Sequence, residues 1–389
     1  MALLASVVLT GCWGAPAIDR QGMVSILGLD LAPAGRFRAT ADIVNVAGLP
    51  PPTGAGQGSS SPVFVRSAVG STPTEAIARL AVSSQTSLDL THLQGVIASE
   101  AYARTSLETL ANTFSHAELT GTAWLFVARA STAEALLRGT ESVKPEPGRS
   151  LLQTALYGEH EVARLVDRVD SLQFRALMRG DDFATVGVGT DTTQGGGPRT
   201  AFRLQGLALF DGFHLTGWLD GPTLEGLLLD TNRLGRVRVT VPTSGGAMTF
   251  MVLSARRSIH VTATRPAPAA HIVASVVLEA QTAPTDRPIP PLTVAASRWR
   301  LRTEVAAALW QRGATAIAQA QAAGSDVLSL GQSVRVADPG YWRDHGATWE
   351  TGAYRAIPVR LTVHVRIKPA QVVCPPKSRC GPSSNPAAA

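Results

Sequence analysis

Residues 204–219 read LQGLALFDGFHLTGWL. Two apolar runs, Leu204 to Phe210 and His214 to Trp218, flank Asp211-Gly212, and that arrangement predicts a β-hairpin closed by a tight turn. The hairpin divides two differently patterned halves. Before it, segments with strand and helix character alternate; after it, strands dominate until one long helix and a last strand. Such an order predicts mixed sheet-and-helix layers, an α+β or mixed α/β fold built from several domains, rather than repeated βα units.

Working back from the hairpin, residues 187–198, GVGTDTTQGGGP, read as an interdomain linker or exposed loop. Leu151 to Val169 reads as a helix. His92 to Ser99 and Thr122 to Ala130 read as buried strands, with a helix around Thr105 to Asn112 between them. Thr72-Pro73-Thr74-Glu75 combines a capping-box pattern with Pro at the first helical position, and Ile77, Leu80 and Ala81 then share a face. Residues 48–62, GLPPPTGAGQGSSSP, form a flexible loop. Before that loop, Met23 to Asp30 and Phe37 to Val46 read as a hairpin around Ala32 to Gly35.

Working forward, a short helix is expected at Thr223 to Leu229. Strands follow at Val237 to Val241, Ala247 to Ser254, Ser258 to Thr264 and His271 to Ala280. The longest helix runs from about Ser297 to Ala322, with Leu301, Val305, Leu309 and Ile317 near a four-residue spacing that suits packing on a sheet. Val359 to Ile367 is the last strand, with a mobile tail beyond Pro369. The boundaries are 1–12 for a lipoprotein signal, 13–200 for an N-terminal α/β domain and 201–266 for a β-rich middle domain. A C-terminal domain covers 267–369 and a flexible tail 370–389.

The chain has 389 residues, 45% of them hydrophobic and 16% charged, the composition of a folded protein large enough for more than one core. Its net charge of +6 comes from dispersed arginines without a basic run, so a solvated surface is favoured and no nucleic-acid partner is expected. Ala2 to Val8 lead directly into Leu9-Thr10-Gly11-Cys12, where small residues precede a cysteine in the manner of a bacterial lipobox. That chemistry makes Cys12 the acceptor of a diacylglyceryl group and the new N-terminus, held to a membrane by acyl chains. No charged residue precedes Cys12, a departure from the usual secretory pattern, and a buried first strand with a core cysteine is the competing reading. No later run of 18 or more apolar residues is long enough to span a bilayer. Cys374 and Cys380 lie close together in a Pro- and Ser-rich tail, where they are either a disulfide or free thiols; a zinc site lacks further ligands.

The usual marks of catalysis are missing from the sequence. The eight histidines form neither HExxH nor a pair at metal-ligand spacing, and no metal site is expected. Glu159-His160-Glu161 reads as a solvated helix face, and Asp181-Asp182 as a loop or helix cap rather than an acid-base pair. No GxSxG elbow and no phosphate-cradling GxxxxGK[ST] loop is present, so no catalytic residue and no cofactor is assigned.

Several segments together resemble the Ger(x)C family, the C-type lipoprotein subunits of spore germinant receptors in endospore-forming bacteria. They are Gly11-Cys12-Trp13, the strand Ile26-Leu27-Gly28-Leu29-Asp30, Ile43-Val44-Asn45, Gly206-Leu207-Ala208-Leu209-Phe210 with Gly217-Trp218-Leu219, Asp326-Val327-Leu328-Ser329-Leu330-Gly331, Tyr341-Trp342 and Trp349. Gly14-Ala15-Pro16-Ala17 stands where the family carries acidic residues, and the cysteine-bearing tail is also a departure. The resemblance implies three mixed α/β domains, a place on the outer face of the inner spore membrane, and A-type and B-type integral membrane subunits as partners in nutrient-triggered germination. It implies no enzymatic activity. Of the matched residues only Cys12 carries a functional role, as the lipidation site; Trp218, Trp342 and Trp349 would serve any fold as core aromatics. A solute-binding lipoprotein of a transporter is the first alternative, disfavoured by the β-rich middle, and a cell-envelope hydrolase is the second.

Overall fold

The computed structural model describes residues 21–44, 63–84, 87–115, 123–139, 151, 182–193, 199–231, 237–264, 266–281 and 295–368. The expected loop at 48–62, nearly all of the helix at 151–169, the cluster at 159–161 and the tail beyond 369 lie outside them. So do Cys12, Cys374 and Cys380.

The first hairpin forms as its turn chemistry predicts: β1 (Gln21–Ala32) pairs antiparallel with β2 (Arg36–Val44), which pairs with β3 (Val63–Gly70). A bulge in β1 between Val24 and Ile26 is held by Asp42, whose carboxylate accepts from the Ile26 amide at 2.6 Å and the Ser25 hydroxyl at 2.8 Å. Helix α1 (Pro73–Ser84) starts at the expected cap: Thr72 Oγ1 accepts from the Glu75 amide, and Glu75 reaches back to the Ser71 amide. Its buried face is Pro73, Ala76 and Leu80, one residue off the expected stripe. Three strands then join β1 in parallel: β4 (Ser87–Asp89) and β5 (Gly95–Ser99) beside it, and β6 (Trp124–Ala128) beside β5. Between them run α2 (Glu100–Thr105) and α3 (Glu108–Ser115), and α4 (Ala133–Gly139) follows β6.

The 187–198 stretch corrects the linker expectation, because Gly187 to Thr193 belong to strand β7 (Phe183–Thr193) in the interior of the sheet. Gly187 is there for close approach: a Cβ on it would lie 2.2 Å from the Gln205 carbonyl oxygen and 2.4 Å from the Trp218 ring. A glycine-rich composition serves a crowded strand as well as a loop, and only the neighbouring strand distinguishes the two. The central hairpin is present as β8 (Arg199–Asp211) and β9 (His214–Leu219), closed at Asp211 opposite His214. These strands complete a nine-stranded sheet in the order β3-β2-β1-β5-β6-β7-β8-β9, with β4 off this path against β1. Residue 200, at which the sequence reading divides the chain, therefore lies inside β8.

The second sheet has the order β10 (Arg238–Thr243), β11 (Gly246–Thr262), β12 (Ala269–Ala280) and β13 (Val359–Lys368). Two expected strands merge into the single β11, which bends through a bulge between Val252 and Ser254. Between the sheets lie α5 (Gly221–Asp230) and α6 (Ala295–Ala323), touching β8 on one side and β10, β11 and β13 on the other. Helix α5 buries Leu224 and Leu227 to Leu229, as a helix enclosed on all sides must. Leu301, Val305, Leu309 and Ile317 of α6 are buried at the spacing read from the sequence. One apolar cluster consequently runs from Ile26, Ile97 and Phe126 through these helices to Phe250, Ile272 and Ile367; a second lies under α1 to α3. Among the described residues no helix is long and apolar enough to cross a membrane.

Candidate functional site at the central hairpin

Of the segments singled out in the sequence, Asp326 to Gly331 and Trp349 gather at the turn end of the β8–β9 hairpin, and Trp218 organises its other end. At the turn, the chain that follows α6 packs against it, passing through α7 (Leu330–Ala337), α8 (Pro339–His345), a π-type turn at Trp349–Ala353 and the short α9 (Tyr354–Ala356). Ser325 Oγ donates to the Phe210 carbonyl at 2.6 Å. Asp182, just before β7, accepts from the Gly212 amide at 2.9 Å and also from the Asp326 amide, so one carboxylate ties the hairpin turn to the end of α6. Asp326 turns inward and caps α7, accepting from Leu330 N at 2.8 Å, Gly331 N at 2.6 Å and the Trp349 indole at 3.0 Å. Trp342 and Tyr354 flank Trp349 with ring centroids 5.3 and 6.0 Å away.

Burial dominates the electrostatics of this end. It pushes Asp182 up to about 7 and Asp326 up to about 6, against the lowering effect of the amide bonds each receives. Tyr354 is fully buried, its hydroxyl has no hydrogen-bond partner among the described residues, and burial with the nearby carboxylates raises its pKa.

At the opposite end Trp218 is the organiser. Its indole donates to Glu100 Oε1 at 3.1 Å, and the Arg129 guanidinium lies over its ring at 4.5 Å. Arg129 also forms a two-pronged pair with Asp220, at 2.5 and 2.9 Å. Glu100 further accepts from the Ala130 amide and Arg104; burial pushes its pKa up, but these bonds outweigh it and hold the group below the usual value. Sheet, helix α2 and the β6–α4 turn are thereby clamped to β9.

The Gly28-x-Asp30 segment has a third positioning role. Asp30 is buried and accepts from the Ala133 and Glu134 amides at 2.7 and 3.0 Å, while Thr132 Oγ1 takes the Ala135 amide. Three of the four orphan donors at the start of α4 are satisfied in this way. Gly28 permits the approach, since a Cβ there would lie 2.8 Å from Ala133 Cβ.

The sequence expectations fare unevenly. Trp349 is a core aromatic as expected, and Trp218 and Trp342 are partly buried. Asp182 lies at the start of β7, where its oxygens cross-link distant segments; adjacency to Asp181 carried no hint of that. Glu100, Arg129, Ser325 and Tyr354 were not singled out, because their partners lie far away in sequence. Among the described residues no group of three His, Cys, Asp or Glu side chains is placed to hold a metal. The polar groups at the hairpin are engaged mainly with backbone amides and with one another, an arrangement that positions segments.

Fold and junction define a two-sheet α+β protein organised around a central hairpin. Family models match it in two consecutive parts, the spore germination protein N-terminal domain over residues 15–174 and the spore germination B3/GerAC-like C-terminal domain over 205–369. The chain belongs to this GerAC-like, or Ger(x)C, family of spore germination proteins. Spore germination protein KC of Bacillus subtilis (strain 168) is 26% identical over 252 residues, which are 60% of this chain and 61% of that relative's length. The crystal structure of the GerBC protein shares the fold, with a TM-score of 0.54 at 14% identity over 88% of this chain and 96% of that one.

Proposed function

We propose that the chain is the non-catalytic C-type subunit of a nutrient germinant receptor. In this reading a lipid on Cys12 holds it at the outer face of the inner spore membrane, beside A-type and B-type integral membrane subunits, and it is required for nutrient-triggered germination. The observation that carries the reading is the match of both halves to spore germination families. Two further features support it. The lipobox at Leu9-Thr10-Gly11-Cys12 supplies a thiol for acylation, and acyl chains contribute about 0.8 kcal/mol per buried methylene, so two or more anchor stably. The buried carboxylate of Asp30 and the partly buried one of Asp182 are occupied by backbone amides, which suits a rigid assembly subunit.

The test is dipicolinate release from spores exposed to nutrients, comparing wild type, a deletion of this gene and Cys12→Ala. The reading expects the deletion to abolish the response to at least one nutrient and Cys12→Ala to weaken it. Normal responses to every nutrient in the deletion strain would count against it.

A further inference from the structure

Among the described residues, helices cover only one face of the second sheet. Ala270, Ile272, Ala274, Val276 and Leu278 of β12 are buried toward the helices, so the alternate residues, His271 to Glu279, point to the other side. The ladder register carries that side across three strands. His260 is opposite His271, which is opposite Arg360; Arg256 is opposite Ser275, which is opposite His364; Val277 faces Arg366 and Glu279 faces Lys368. Arg256, His260, Arg360, His364, Arg366 and Lys368 are all exposed. Across these rows four permanent cations and three histidines meet a single carboxylate, Glu279. Three of the dispersed arginines of the sequence, with Lys368, are thus brought by strand pairing onto one basic surface.

We propose that this open sheet face lies against an anionic bilayer and takes phospholipid phosphate groups, fixing how the anchored chain is oriented. The inference rests on the membrane anchoring proposed above. Charge complementarity is its basis: cationic side chains attract an anionic leaflet, and the attraction acts only within a Debye length of about 8 Å at physiological salt, so the face must lie close to the lipid. The residue types between the cations select against other occupants. They are chiefly Ser, Thr and Val, with Met251 half-buried and Leu253 exposed at the β11 bulge; apart from the histidines, the sole aromatic of β10 to β13, Phe250, is buried. The face carries no exposed Phe, Tyr or Trp, the large rings on which sheet-bound nucleobases and the anchors of protein interfaces chiefly rely. A cationic sheet face without large exposed rings matches headgroups instead.

The test uses the full chain carrying Cys12→Ala, so that no acyl chain contributes, in co-sedimentation with vesicles. Vesicles of equal parts phosphatidylglycerol and phosphatidylcholine are compared with pure phosphatidylcholine, at low and high salt. Binding should depend on phosphatidylglycerol and be lost in high salt. Arg256→Glu, Arg360→Glu and Arg366→Glu together should weaken it by at least about tenfold. The same three reversals at Arg298, Arg300 and Arg302 of α6, an exposed cluster elsewhere, should leave most of it. Circular dichroism verifies that both triple variants fold. Equal loss in both would reduce the effect to net charge and overturn the proposal, as would absence of phosphatidylglycerol-dependent binding or tighter binding to soluble polyglutamate than to vesicles. A normal spore response combined with any of these results would remove this inference alone.

Discussion

Single carboxylates decide local geometry in this protein, and their behaviour follows from what reaches their oxygens. Asp30 receives two amides at the start of α4. Asp30→Ala leaves those donors buried without a partner, and denaturant unfolding should report a loss of about 1–3 kcal/mol. Asp230 is the opposite case: it is fully buried, neither carboxylate oxygen has a hydrogen-bond partner among the described residues, and burial pushes its pKa up to about 7. The sign follows from linkage. A carboxyl with a folded pKa above its unfolded value holds its proton more tightly in the native state, so its contribution is fully present in acid and is lost as pH rises from about 4 to about 7. Asp230→Asn should therefore raise the melting temperature at pH 7.5 and flatten its fall between pH 5 and 7.5. An unchanged pH profile would show that the carboxylate is not desolvated in solution.

Between elements, two ion pairs of similar appearance should differ in weight. Arg312 of α6 and Glu225 of α5 pair where their side chains are only 12% and 8% exposed, and Arg312 also donates to the Thr240 carbonyl of β10. Glu225→Ala strands a buried guanidinium and should cost about 3–5 kcal/mol. Asp220 of the Arg129 pair is 57% exposed, and Asp220→Ala should cost no more than about 1 kcal/mol. Urea titrations of the two variants, measured side by side, check the ordering. The elements themselves were largely legible: hairpins, the Thr72 cap and the buried stripe of α6 follow from turn residues and periodicity. Strand β7 was not, because its glycines encode contact with Gln205 and Trp218, and local sequence carries no trace of a partner strand.

At the scale of the molecule, the two sheets share one core through α5 and α6. Leu309, 2% exposed near the middle of α6, belongs to that core. Leu309→Ala should lower stability by about 2–5 kcal/mol. Because the core is common, far-ultraviolet circular dichroism and Trp fluorescence should shift by the same amount; a shift confined to one probe would mean that the sheets unfold separately.

The sequence by itself determined the alternation of strands and helices, the helix cap and the amphipathic stripe, since each depends on neighbours within a few turns of chain. It also carried the motif segments that resemble the Ger(x)C family, though as separate stretches. Only the tertiary structure brought Asp182, Phe210, Gly212, Ser325, Asp326 and Trp349 to one end of a hairpin, and the basic residues of β11 and β13 to one open face. Which carboxylate meets which amide is set by strand order and register, and these arise from burying a common core across hundreds of residues.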